Sequence, residues 1–150
     1  MSQGFFLRND ITINAPANVV WDTLVNPEKT KQYMYGCETV SDWKKGSELL
    51  WTMIHEGKEL VAVKGVIEEI IPNELLVYTT IDPNSNIDDA SENYLKVTYR
   101  LSDQNGQTLL QVSQGDYTTV AEGDRRYKEA MEAGGWASIL TEIKKVAESN

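Results

Sequence analysis

The chain has 150 residues, of which 41% are hydrophobic and 25% charged, values typical of one soluble globular domain spanning residues 1–150. Its formal net charge of −9 repels phosphate backbones and disfavours nucleic acid as a partner. The longest apolar runs are far shorter than the roughly 18 residues of a membrane span. The amino-terminal residues lack the pattern of a secretory signal, so we expect no membrane span and a cytoplasmic location.

The single cysteine and the single histidine narrow the possible chemistry. Cys37 excludes an intrachain disulfide and every metal site built on cysteine pairs, and His55 excludes sites that need two histidines. His55 and Glu56 are the nearest approach to an acid–base pair, but they fall at a predicted turn, where an exposed histidine is the ordinary interpretation. We therefore predict no catalytic residue, no metal and no cofactor.

The first third of the chain predicts a strand followed by two short helices. Phe5 to Ile13 is rich in β-branched and aromatic residues and predicts a strand. Pro16 suits the first turn of a helix, because its missing N–H would have no partner inside the helix there. Asn26-Pro27-Glu28 repeats this start pattern with a capping residue and an acid near the positive end of the helix dipole.

About eighty residues after Gly36 predict an antiparallel meander. Its strands are separated by short turns, and five of them are predicted at 49–55, 60–71, 75–81, 94–101 and 108–117. The strand at 49–55 is the third of the chain, so one further strand is predicted between Gly36 and the Lys45-Gly46 turn. Asn105-Gly106 predicts a tight hairpin between the last two strands, because both residues tolerate positive φ.

The polar segment 82–93 lies between two of these strands. Its first residues alternate like calcium ligands at Asp82, Asn84 and Asn86. Ile87, however, stands where such a loop needs glycine, and Asn93 stands where it needs glutamate. We interpret the segment as a solvated loop that could act as a lid.

The last thirty residues predict one long helix. Its apolar residues recur at intervals near 3.6, and they are Tyr127, Met131, Trp136, Ile139, Leu140, Ile143 and Val146. The helix could begin near Thr119 or at Gly123, and Gly134-Gly135 inside it predicts a close approach or a local bend. Arg125, with Arg126 and Lys128, predicts a salt-bridged surface.

The order of elements predicts an α+β fold with a curved antiparallel sheet of about seven strands around the carboxyl-terminal helix. Seven strands span roughly 29 Å, whereas a helix with its side chains is only about 10–12 Å wide. One helix cannot cover that face, so the geometry predicts a cavity between the sheet and the helix.

Strand alternation nominates the residues that line the cavity. Val61, Val63, Gly65 and Ile67 are predicted to share one face of their strand, with Lys64 on the wet face. Val97 and Tyr99 are predicted to share a face of theirs. The predicted cavity-lining set is Trp51, Met53, Val63, Ile67, Tyr78, Thr80, Tyr99, Val112, Gln114, Trp136 and Leu140.

Gln114 carries a lone amide on the otherwise apolar face that it shares with Leu110 and Val112. Its amide could orient a ligand, or it could pair with Tyr99, Tyr78 or a buried water. Cys37 has no basic neighbour before Lys44 and is interpreted as a free thiol without a functional role.

Several segments, in this order and spacing, resemble one protein family. They are Ile13 to Trp21, Asn26-Pro27-Glu28, Val40-Ser41-Asp42, Lys45-Gly46-Ser47, Gly65 to Pro72, Leu76-Val77-Tyr78 and Gly135-Trp136. Together they are similar to the branch of the START-like (SRPBCC) superfamily named after activators of the heat-shock-protein-90 ATPase. The resemblance implies a helix-grip fold with a deep hydrophobic cavity. Thr80 stands where the family pattern leads us to expect tryptophan, which would enlarge or polarise that end of the cavity.

Three functions follow from the cavity and the resemblance. The first is a binding domain that holds a hydrophobic or amphipathic small molecule. The second is an enzyme of the polyketide-cyclase kind, in which Tyr78, Tyr99 or Gln114 would steer proton transfers. The third is a partner of a chaperone ATPase, acting through the outer surface. Fold alone does not select among them.

Overall fold

The architecture comes from a computed structural model, which describes residues 4–34, 36–84 and 87–149. Within these residues seven strands form one open, curved sheet in the order β1-β7-β6-β5-β4-β3-β2, and every neighbouring pair is antiparallel. The strands are β1 Leu7–Ile13, β2 Glu38–Ser41, β3 Glu48–His55, β4 Lys58–Ile71, β5 Leu75–Thr80, β6 Leu95–Gln104 and β7 Gln107–Gly115.

Two short helices follow β1, as predicted: α1 Ala17–Val25 and α2 Pro27–Tyr33. The start of α2 forms as the sequence indicates, because the Asn26 side chain accepts a hydrogen bond from the Glu28 backbone N–H at 2.9 Å. The hairpin between β6 and β7 is also confirmed, with φ of +59° at Asn105 and +94° at Gly106.

The prediction of one long terminal helix is wrong. The structure has two helices, α3 Gly123–Glu132 and α4 Ala137–Glu148, and Thr119 lies in a separate helical turn. Gly134 and Gly135 separate them with φ of +91° and +61°. Two successive residues in this left-handed region cannot belong to an α-helix, so the glycine pair ends the helix instead of bending it.

A β-bulge changes the predicted faces of β4. Trp51 pairs with Val63, but the next residue, Thr52, pairs with Val61, which leaves Ala62 as the extra residue. Val61 therefore lies on the face of Thr52, opposite Val63, and the prediction that Val61 shares a face with Val63 is wrong.

The core lies between the concave face of the sheet and helices α1, α2 and α4. Leu140 and Ile143 of α4 are buried completely, together with Ile13, Val20 and Leu110. Helix α4 contacts β1, α1 and α2, whereas α3 contacts β1 and the short turn at 117–119. The two terminal helices therefore cover different parts of the molecule.

Candidate functional site

A pocket of about 260 Å³ opens where α3 and the start of α4 meet the concave face. Tyr78 and Thr80 of β5 form part of its sheet wall, while Ala130 and Ala133 of α3 lie on the helical side. In all, fifteen residues line it: Leu7, Met34, Cys37, Trp51, Val63, Tyr78, Thr80, Val97, Gln114, Tyr117, Ala130, Ala133, Gly135, Trp136 and Ile139. None of these described residues carries a charged side chain at neutral pH.

Six of the eleven residues predicted to line a cavity lie at this pocket: Trp51, Val63, Tyr78, Thr80, Gln114 and Trp136. The other five do not. Ile67, Tyr99 and Leu140 are at most 2% exposed and Val112 is 3% exposed, because they pack inside the core. Met53 is half-buried against the core near the end of β3.

The sequence reasoning missed most of the pocket's helical side. Ala130, Ala133 and Gly135 line it only because the helix breaks between α3 and α4. Cys37, interpreted from sequence as a thiol without a role, also lies at the pocket wall. The glycine pair was the sequence signal for the break between α3 and α4. The small alanine side chains of α3 were the signal that this helix could border a pocket.

Strand register explains why the central residues meet. Tyr78 pairs with Val97, Val97 with Gln114, and Gln114 with Leu7, so these residues form one row across β5, β6, β7 and β1. Directly paired residues point to the same side of a sheet. The row therefore presents a phenol and an amide to the same pocket, separated by one strand.

Gln114 hydrogen-bonds neither tyrosine. Its Oε1 instead accepts a hydrogen bond from the indole Nε1 of Trp136 at 2.9 Å, so an element of the terminal helical region holds the amide. The Trp136 backbone N–H donates to Asn9 Oδ1 at 3.1 Å, which ties the same residue to β1. Trp136 is thus fixed at both its backbone and its indole.

Tyr78 and Tyr99 form a buried pair, with their hydroxyl oxygens 3.0 Å apart. The ring of Tyr99 contacts the Trp136 ring edge to face, with centroids 5.8 Å apart. Burial raises the pKa of both phenols well above the usual tyrosine value of 10.0, and their mutual proximity adds to the shift for Tyr78. Both tyrosines are therefore neutral at physiological pH and neither can serve as a general base.

The pocket offers little other acid–base or metal chemistry. Burial raises the pKa of the Cys37 thiol, so the thiol form prevails near neutrality. Within the described residues, no three His, Cys, Asp or Glu side chains are grouped closely enough to hold a metal ion. His55 is exposed at the end of β3, away from the pocket-lining residues.

The loop 82–93 does not reach this pocket through any of its described residues, and Asn86 of the calcium-like pattern lies outside them. Arg125 forms ion pairs with Glu122 at 2.8 Å and Glu129 at 3.1 Å, as predicted for a salt-bridged surface. No helix among the described residues is both long and apolar enough to cross a membrane.

Comparison with known proteins gives a consistent family and fold. The model of the family "Activator of Hsp90 ATPase homolog 1-like protein" matches residues 14–148. The solution structure of ChR145 from Cytophaga hutchinsonii is 32% identical over 99% of this chain and 97% of its own, with a TM-score of 0.74. Protein NE0264 from Nitrosomonas europaea is 17% identical over 99% and 97%, with a TM-score of 0.72.

A further similar structure is DynU16, a protein of the dynemicin biosynthetic locus. It is 14% identical over 97% of this chain but only 48% of its own, with a TM-score of 0.72, and this likeness concerns the fold alone. The comparison with curated proteins gave no match.

Proposed function

From the premise that this chain belongs to the family of activator of Hsp90 ATPase homolog 1-like proteins, we propose that it binds a hydrophobic or amphipathic small molecule. The observation that carries the proposal is the uncharged, largely apolar pocket between the sheet, α3 and α4. We further propose that the chain forms one domain and that it acts in the cytoplasm, where a free thiol such as that of Cys37 stays reduced.

The size of the pocket limits the ligand. Its volume of about 260 Å³ exceeds the roughly 150 Å³ of an engineered cavity that binds benzene, and falls just below the roughly 300–1,000 Å³ of drug-sized sites. A ligand with one or two rings fits this range. The aromatic walls supplied by Trp51, Tyr78 and Trp136 favour flat or aromatic molecules.

Binding accounts for the pocket better than catalysis of the polyketide-cyclase kind. Such a reaction needs groups that give or take protons near neutral pH. The raised pKa values of Tyr78, Tyr99 and Cys37 act against that role, because all three groups hold their protons there.

The four tryptophans of the chain provide a direct test. Trp51 and Trp136 line the pocket, whereas Trp21 and Trp43 do not. Titration of the ¹⁵N-labelled protein with naphthalene should shift the indole N–H resonances of Trp51 and Trp136 and leave the other two unchanged. Shifts confined to Trp21 and Trp43 would refute the proposal. The absence of any shift at the highest soluble concentration of naphthalene would refute it as well. If the Trp51 and Trp136 resonances shift, native mass spectrometry of freshly purified protein would identify a co-purifying natural ligand.

A pair of matched variants tests the pocket itself. Thr80→Trp places a large ring into the pocket, whereas Thr98→Trp adds the same ring to the outer face of the neighbouring strand. We expect Thr80→Trp to abolish naphthalene binding and Thr98→Trp to retain it. Equal binding by both variants would show that the ligand binds elsewhere, for instance on the surface that a chaperone partner would use.

A further inference from the structure

The hydrogen bond between Trp136 and Gln114 fixes which end of the Gln114 amide is free. An indole N–H can only donate, so it must meet the oxygen Oε1 and not the nitrogen Nε2. No described residue accepts a hydrogen bond from Nε2. Because Gln114 lines the pocket, the structure leaves an amide N–H₂ donor without a protein acceptor at the pocket wall.

The buried tyrosine pair adds a second donor on the same row of residues. Tyr78 and Tyr99 are both protonated and carry two hydroxyl hydrogens, but only one hydrogen bond joins them. No described residue accepts the second hydrogen. When Tyr99 donates to Tyr78, the Tyr78 hydroxyl is free to donate towards the pocket that it lines. The pocket wall thus offers a ligand the Gln114 amide N–H₂ and, in that arrangement, the Tyr78 O–H as hydrogen-bond donors.

The charge of the pocket selects among acceptors. A carboxylate or phosphate would lose its hydration on entry, and no described lining residue provides a cation in compensation. The protein's net charge of −9 adds to this penalty. A neutral carbonyl oxygen needs only the donors that are already there.

We propose that the ligand carries a neutral hydrogen-bond-accepting oxygen, of the ketone, ester or quinone class, which is bound by Gln114 Nε2. Trp136 is a positioning residue, because its indole N–H holds the amide with the donor end towards the ligand. This inference rests on the proposed function, since it describes the ligand of the same pocket.

Two ligands of nearly equal shape test the inference. Methyl β-naphthyl ketone and β-isopropenylnaphthalene differ only in having C=O or C=CH₂ on the same ring system. We expect the ketone to bind about three- to tenfold more tightly, the worth of one net hydrogen bond. Dissociation constants come from NMR titrations that follow the Trp51 and Trp136 indole resonances.

Gln114→Glu reverses the polarity of the free end. At pH 8 one carboxylate oxygen still accepts from Trp136, while the other presents an acceptor to the pocket. We expect the preference for the ketone to disappear. Gln111→Glu is the matched control, because Gln111 lies exposed on the same strand and gains the same charge. Gln111→Glu should keep the wild-type ratio of the dissociation constants for the alkene and the ketone.

Trp136→Phe tests the positioning role and remains informative if Gln114→Glu fails to fold. Without the indole N–H the amide can rotate and present its oxygen. The probes are indole, which donates through its N–H, and indene, which does not. In the wild-type pocket the indole N–H loses its hydrogen bond to water and meets the Gln114 donor, so wild-type protein should bind indole more weakly than indene. Trp136→Phe should remove or reverse this difference. If the ratio of the dissociation constants for indole and indene is the same in wild-type protein and Trp136→Phe, the positioning role of Trp136 is refuted.

The outcomes separate this inference from the proposed function. If ketone and alkene bind the wild-type pocket equally, or if Gln114→Glu keeps the ketone preference, the inference is overturned and the binding function stands. If neither compound nor naphthalene shifts Trp51 or Trp136, the binding function itself is overturned.

Discussion

The concave face of the sheet has two ends that differ in how they are covered. At one end α4 packs against β1, α1 and α2. Its residues Leu140 and Ile143 are at most 2% exposed there. At the other end α3 lies over the sheet with Ala130 and Ala133, and the pocket remains between them. The same sheet thus supports a solid core and a hollow.

The difference follows from the length of one helix. The twelve residues of α4 extend about 18 Å, whereas seven strands span roughly 29 Å. Helix α3 does not continue α4, because Gly134 and Gly135 redirect the chain. The hollow end is therefore a consequence of where the glycine pair stops the helix.

The largest expected effect is loss of the folded state at alkaline pH, which tests the tyrosines between the two ends. Burial raises the pKa of Tyr33, Tyr78 and Tyr99 above 10.0, the value that applies in the unfolded chain. Their contribution to stability is full below pH 10 and is lost as pH rises towards their folded pKa values. Urea unfolding at pH 8 to 11.5 should show this decline. Tyr99→Phe should make the decline in the free energy of unfolding smaller. A free energy of unfolding that does not change between pH 8 and 11.5 would contradict the role of the buried tyrosines.

A pair of neighbouring substitutions on α4 compares the two ends directly. Leu140→Ala empties the solid core and should lower the free energy of unfolding by about 2–5 kcal/mol. Ile139→Ala, at the pocket, should cost less than about 2 kcal/mol, since its side chain already faces a void. Chemical denaturation measures both. Equal costs would show that the hollow end is as tightly packed as the core.

Gly135→Ala tests the break between the two helices. Alanine at φ of +61° costs roughly 1–2 kcal/mol, and its Cβ would lie 2.9 Å from Asn9 Oδ1, which accepts the Trp136 N–H. We expect destabilisation at the upper end of that range. In a double-mutant cycle with Asn9→Ala the combined cost should be less than the sum. Strict additivity would mean that Asn9 is not displaced.

The smallest effect concerns the reactivity of Cys37 and leaves stability unchanged. Because burial raises the pKa of this thiol, its reaction with iodoacetamide should be slow at pH 7 and accelerate at a higher pH than in the urea-unfolded protein. Methyl β-naphthyl ketone should slow the reaction further, since Cys37 lines the pocket. The single cysteine makes the label specific. Unchanged labelling with saturating ketone would place the ligand elsewhere.

Much of the secondary structure was predictable because its determinants are local. Asn26 starts α2 through its side-chain cap, and Asn105-Gly106 closes the β6–β7 hairpin because both residues adopt positive φ. The bulge at Ala62 was not predictable, because it depends on how β3 and β4 align, and it moved Val61 to the opposite face. Ile67 and Tyr99 likewise share a face with pocket residues, yet the packing of the core covers them.

By itself, the sequence determined the order of the strands and their antiparallel arrangement, since each depends on residue types a few positions apart. Only the tertiary structure decided that the terminal helix is two helices, that Gln114 pairs with Trp136, and that Cys37 borders the pocket. These features join residues distant along the chain. Their contacts depend on register and helix placement, which no local preference encodes.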